Sequence, residues 1–148
     1  MKSLFLSLFL VFFVAQAETE FAIPKPSLEH PRQFIFPLTS DNEAEISHVL
    51  SSASNVMKFY GPEKCEIIIV CYSKGIKTIL AKSHFLNKDI PKRVRSLMTY
   101  DVGFVGCKNS MRTFGIVKKD LMKGVEIVTA GIVELIERQK SGWTYIRP

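Results

Sequence analysis

The sequence is expected to fold as one α/β domain, a three-layer α/β/α sandwich around a five-stranded, mainly parallel sheet. Short apolar runs alternate with amphipathic segments from Gln33 to the last residue, the pattern of strands joined by helical, right-handed crossovers. One run, Ile67 to Cys71, is apolar without alternation, so both its faces must be covered, as in a central parallel strand. The chain is also of a size that holds a single core, since roughly 100–150 residues do so.

Each element follows in order. Gln33–Leu38 (QFIFPL) is aromatic and branched and is expected as the first strand. Ser40 and Glu43 have the S-x-x-E spacing of a capping box. Behind them Ile46, Val49, Leu50, Ala53, Val56 and Met57 share a helical face, and Gly61-Pro62 supplies the stop. Glu66–Tyr72 is the second strand. Ile76, Ile79 and Leu80 mark a second helix; a third opens with Pro91 and presents Val94, Leu97 and Met98. Gly103–Cys107 is the third strand, followed by a short helical turn from about Asn109 or Ser110. Val125–Val128 is the fourth strand. Ile132, Val133, Leu135 and Ile136 line a helix ended by Gly142, and Trp143–Ile146 is the fifth strand.

Ahead of this domain, residues 1–17 have the form of a secretory signal. Lys2 is followed by an apolar stretch from Leu4 to Val14, broken only by Ser7, and by Ala15-Gln16-Ala17 as a small-x-small cleavage site. The stretch is shorter than the ~20 apolar residues a membrane span needs, so no stable membrane anchor is expected after cleavage. Export, most simply to a periplasm, is the expectation. Residues 18–32, with Pro24, Pro26 and Pro31, form an extended lead-in, partly disordered. The formal net charge of +6 is spread along the chain, with no basic block and no aromatic-basic interleaving. No nucleic-acid surface is indicated.

Three cysteines, Cys65, Cys71 and Cys107, leave at least one thiol unpaired in an exported monomer. Cys65 and Cys71, six residues apart on one strand, are about 20 Å apart and cannot bond. Cys65 is expected to be inert at the strand entrance. In open parallel sheets ligands bind beyond the carboxyl ends of the strands, where three segments converge: Leu38–Asn42, Cys71–Gly75 and Cys107–Met111. Cys107 is the last residue of its strand and immediately precedes a helix start. Free amides there favour a thiolate, and Lys108, Asn109, Ser110 and Arg112 are the groups expected to support it. Burial as a packed side chain is the competing fate of Cys107. Cys71 could reach Cys107 if the two strands are neighbours, which makes it a possible second thiol.

Other sites are not indicated. Neither G-x-x-x-x-G-K-[ST] nor G-x-G-x-x-G occurs. Cys107 and Arg112 fall one residue short of a C-x5-R phosphatase loop. The Thr39–Asn42 loop lacks the glycine of a flavin-phosphate loop, so no cofactor is assigned. His30, His48 and His84 have no metal-ligand spacing, and His48 is expected at the surface. Glu134, Glu137 and Arg138 have the spacing of a solvated helix face.

The segments FVGCKNSMRTFGI, GVEIVTAGIVELIERQKSGWTYIRP and MKFYGPEKCEIIIVCYSKGIK together resemble the DsrE/DsrF-like (DsrEFH-like) family, in particular its exported members. The resemblance runs from about Gln33 to Pro148. It implies a flavodoxin-like domain and homo-oligomers, trimers or hexamers. It also implies, as in some cytoplasmic members, sulfur carried as a cysteine persulfide between donor and acceptor thiols of partner proteins. The position matching the family's strand-end cysteine is Cys107. Two functions therefore compete. One is a sulfur-relay protein, a carrier or sulfurtransferase at most; the other is a non-catalytic oligomer binding a small anion or a partner. A flavin or nucleotide binder, suggested by the layout alone, is a weaker third.

Overall fold

The parallel sheet holds every strand the sequence implies. The structure, a computed structural model, describes residues 19–82 and 86–148; the expected signal segment 1–17 and His84 lie outside the described residues. Its strands are β1 (Arg32–Leu38), β2 (Cys65–Cys71), β3 (Gly103–Cys107), β4 (Glu126–Val128) and β5 (Thr144–Tyr145). Their order is β4-β3-β2-β1-β5, and all four pairings are parallel. The helices are α1 (Glu43–Tyr60), α2 (Asp89–Thr99), α3 (Lys108–Thr113) and α4 (Gly131–Lys140).

Strand alternation divides the core into two unequal halves. Phe34, Phe36 and Leu38 of β1, Ile67, Ile69 and Cys71 of β2, and Phe104 of β3 face α1 and α2. There they pack against Ile46, Leu50, Ala53, Val94 and Leu97. The intervening residues Ile35, Val70 and Val105 face the other way, onto Leu135 of α4 and Trp143. The ~25 cal/mol per Å² gained by removing apolar surface from water therefore accrues mainly on the first face.

Several boundaries differ from expectation for local reasons. Asn42, not Ser40, caps α1: its Oδ1 accepts the amides of Ala44 and Glu45 at 2.9 and 3.2 Å. Ser40 Oγ instead accepts the amide of Asn42, and the carboxylate of Glu43, now the first helical residue, accepts the amide of Asn87. The second helix is a 3-10 helix over Ser73–Ile79. Its Ile76 and Ile79 are buried, while Leu80 leaves it to bridge Leu121. The third expected helix, α2, begins at Asp89, before Pro91, where Asn87 Oδ1 accepts the Asp89 amide. On α4 only Leu135 of the four expected apolar residues is buried; Ile132, Val133 and Ile136 are about half exposed. The lead-in is fastened: Phe21 packs on Phe59 and Tyr60, and the Arg32 guanidinium donates to the carbonyls of Ala22 and Pro24.

One glycine joins the strand ends. A Cβ on Gly75 would overlap the carbonyl group of Leu38, and the Gly75 amide donates to the carbonyls of Thr39 and Tyr72 at 3.0 Å each. Gly75→Ala is expected to cost about 4 kcal/mol or more of stability, the range of severe backbone conflicts. Gly115→Ala meets no atom within 4 Å and should cost only about 1 kcal/mol, for its left-handed φ. Urea unfolding of the two variants checks the contrast; equal losses would mean that the Gly75 contact relaxes freely.

Candidate functional site

The three carboxyl-end segments converge because β1, β2 and β3 run in register, with Leu38 paired to Cys71 and Cys71 to Gly106. The Tyr72 amide donates to Leu38 O at 3.1 Å, and the Ser73 amide donates to Ser110 Oγ at 2.7 Å. The connections then part. After β3, α3 places Met111 in the larger core half; after β4, α4 places Leu135 in the smaller. The crevice between the ends of β3 and β4 is therefore a topological switch point, the usual place for a site in an open parallel sheet.

Cys107 stands in that crevice, 4% exposed. It shares the sheet face of Val105 and occupies the N-cap position of α3. Its Sγ lies 4.0 Å from the Thr129 carbonyl, the acceptor available to the protonated thiol. Burial pushes the thiol up. Hydrogen bonding from the Ser110 hydroxyl and from the amides of Gly131, Ser110 and Asn109 outweighs it and holds the thiol below its ordinary range. The amides do not close a side-chain cap bond of the kind Asn42 makes for α1; they stand where an anionic sulfur would accept from them. Ser110 is well placed to donate. Its oxygen already accepts from Ser73, which leaves the hydroxyl proton for the sulfur.

Cys71 is the contrast. It lies on β2 beside β3, but its side chain packs in the α1/α2 half of the core, across the sheet from Cys107. The two thiols do not meet. Burial alone drives the Cys71 thiol far up, and burial also raises Cys65 at the start of β2. Lys108, Asn109 and Arg112 are exposed, and the Arg112 guanidinium donates to Asn109 Oδ1. They surround the site at the surface, while Ser110 and the amides serve the sulfur. In the first segment Asp41 pairs with Lys77 at 2.8 Å, and the Lys77 hydrogen bond lowers the Asp41 carboxyl. Among the described residues no group of three His, Cys, Asp or Glu could hold a metal ion.

Four residues belong to the site that sequence reasoning did not single out. Ser73 adopts φ 51°, in the left-handed region, and aims its amide at Ser110. Thr129 accepts the Asn109 amide at 3.3 Å as well as facing Cys107. Gly131 opens α4 where a Cβ would come within 2.9 Å of Tyr72 Cβ. Tyr72, half-buried, has its hydroxyl raised by burial, then by the charges of Tyr145 and Cys107, with Arg147 opposing. A glycine just after a strand was the available signal for Gly131. Nothing in the residue type marks Ser73.

The model of the DsrE/DsrF-like family matches residues 34–148, which include the whole crevice. The chain belongs to the DsrE/DsrF-like family. No functionally curated protein matches it. Three solved structures share the fold of this DsrE/DsrF-like chain. MTH1491 of Methanobacterium thermoautotrophicum, a protein of unknown function, has 29% identity and a TM-score of 0.71, over 79% of this chain and 99% of its own. The ychN protein of E. coli has 18% identity and a TM-score of 0.66, over 79% and 99%. BT1422 of Bacteroides thetaiotaomicron has 16% and 0.58, over 78% and 93%.

The geometry gives a sign for the chemistry. The thiolate is the nucleophile, so alkylation of Cys107 should rise with pH through a midpoint below that of an ordinary thiol. Ser110→Ala removes one donor to the anion and should move the profile to higher pH. The rate at neutral pH should fall about fivefold, the worth of one net hydrogen bond. Iodoacetamide kinetics against pH, followed by mass at Cys107, measures this; an unchanged profile would remove Ser110 from the site.

Proposed function

We propose that this DsrE/DsrF-like protein is a sulfur carrier that works on Cys107. The observation that carries the reading is a cysteine at the β3/β4 switch point whose thiol is held below its ordinary range despite burial. Such a thiol suits sulfur exchange, where attack needs the anion and release needs a tolerable leaving group. The Cys107 thiolate attacks the outer sulfur of a donor R–S–SH. The donor S–S bond breaks, its electron pair leaves with R–S⁻, and Cys107 holds –S–SH. An acceptor thiolate then attacks the outer sulfur, takes it as its own persulfide and returns Cys107 as the thiolate. No external oxidant or reductant enters. The acceptor is a thiol, that of a partner protein in the simplest arrangement.

A second reading is supported by the 4% exposure of Cys107: the cysteine packs, and the protein is a non-catalytic binder of a small anion or a partner. Intact mass separates the two. Protein expressed from the full sequence in a secreting host is expected to begin at Glu18, after cleavage behind Ala17, and to act in the periplasm. Exposed to polysulfide, it should gain sulfur atoms that a reducing thiol removes; Cys107→Ser should gain none. No gain by either protein, with Cys107 open to alkylation, would favour the binding role. A mass that retains residues 1–17 would overturn export by cleavage.

We also propose assembly as a homotrimer or homohexamer through the α4 face. Ile132, Val133 and Ile136 stand 53, 51 and 47% exposed on a single helix, and covering the exposed half of each would contribute about 1 kcal/mol. Light scattering should give three or six times the subunit mass, and Val133→Glu with Ile136→Glu should give monomer. A monomeric native protein would dispose of this assembly.

A further inference from the structure

A groove of about 510 Å³ runs between α3, the loop after it and the edge strand β4. Its floor is apolar, formed by Met111, Ile116 and Ile127, and its rim carries Lys108, Arg112 and Lys118. Among the described residues no carboxylate lines it. Other clefts differ: that under Leu80 includes Asp120 beside its lysines, that at the end of β1 sets Glu45 against Arg147, and that beside Pro62 carries a single cation, Lys58. The cleft between α1 and α2 has cations, but its walls are serine-rich. Among the described residues, none of the three rim cations takes part in an ion pair.

The groove adjoins the reactive sulfur without containing it. Val128, which lines the groove, is the register partner of Cys107. Thr129, at its inner edge, offers the carbonyl 4.0 Å from Sγ, and Lys108 follows Cys107 directly. The groove floor lies on the larger-core side of the sheet and the Cys107 side chain on the other, so a molecule seated there comes nearest the thiol around the strand ends, at the Lys108–Thr129 rim.

We propose that this groove seats the sulfur donor, and that the donor is a small organic anion with its hydrocarbon body on Met111, Ile116 and Ile127 and its acidic group among Lys108, Arg112 and Lys118. The assignment rests on the sulfur-carrier reading and names its substrate class. An apolar floor under a cationic rim fits a molecule with both parts. Inorganic thiosulfate would use the rim and leave the floor wet. Benzenethiosulfonate is a donor of the proposed class. The Cys107 thiolate attacks its terminal sulfur, the S–S bond breaks, and the electron pair leaves as benzenesulfinate, with Cys107 left as –S–S⁻. Charge and electrons balance with no other reactant.

The unreactive probe is benzenesulfonate, titrated into Cys107→Ser protein while backbone amide shifts are followed. The expected shifts cluster at Lys108, Ile116 and Ile127 to Thr129. Neutral benzenesulfonamide should bind at least about tenfold more weakly, as should benzenesulfonate to the additional Arg112→Glu, Lys118→Glu variant, the size of one lost charge-assisted contact. Shifts elsewhere, equal binding of the neutral compound, or indifference to charge reversal overturns the groove. Wild-type protein is then loaded with benzenethiosulfonate, thiosulfate and polysulfide in parallel. Faster loading from benzenethiosulfonate than from thiosulfate supports the donor class. Loading from polysulfide with no benzenesulfonate binding overturns the groove and leaves the carrier intact. Benzenesulfonate binding with no loading from any donor overturns the carrier, and the donor assignment with it.

Discussion

The approach of Gly75 to the end of β1 is the constraint on which the site depends. Only a residue without a Cβ lets the turn after β2 lie against Leu38, where the Gly75 amide reaches Thr39 O and the Tyr72 amide reaches Leu38 O. With the chain pinned on both sides of it, Ser73 is held at φ 51°, a conformation that costs a non-glycine residue about 1–2 kcal/mol. In return its amide meets Ser110 Oγ. That bond occupies a lone pair of Ser110 Oγ and leaves its proton free for Cys107. The order is thus steric, then conformational, then electrostatic, and each step is set by the one before.

The sheet is covered unevenly, and this bears on where partners can come from. α1, α2 and the 3-10 helix seal one face. Among the described residues the other receives α4 alone, through Leu135, with Trp143 filling the gap beside it. Arg138 lies over the Trp143 ring and is held by Glu134 at 2.7 Å, so the polar side of α4 is internally satisfied. Its apolar residues are not. A helix spending three large aliphatic side chains on solvent gains little from them in isolation. The same helix opens at Gly131, whose amide serves Cys107. Anything that covers α4 therefore rests on an element that also shapes the sulfur site.

The sequence made the sheet legible because continuous apolarity over Ile67–Cys71, short and rich in β-branched residues, reads as a strand covered on both faces. It also made Cys107 legible, since a strand end beside a helix start is visible as a change of period. What it could not show depends on spatial order. Cys71 and Cys107 look like potential partners along the chain; the parallel register of β2 and β3 puts them on opposite faces. Ser40 and Glu43 matched a capping box, yet Asn42 lay closer to the first free amides and took the cap. The 3-10 helix at Ser73–Ile79 has the apolar spacing of an α-helix. Its tighter winding accompanies the Gly75 contact with the end of β1, a tertiary feature that spacing does not show. The half-exposed face of α4 carries the spacing of a buried one, and spacing cannot say whether the cover belongs to the same chain.

The two strand-end cysteines separate reactivity from burial. Both are buried, both end central strands, and burial pushes both thiols up. For Cys71 nothing opposes it, because its sulfur faces the packed side chains of the larger core half. For Cys107 the same penalty is exceeded, because its sulfur faces backbone at the starts of two helices and an oriented hydroxyl. Residue type, element and depth are shared; the difference is which side of the sheet the side chain takes. In a parallel sheet that side is fixed by counting from the strand's first residue. A single insertion within β3 would then exchange the reactive environment for the inert one without altering any residue of the site.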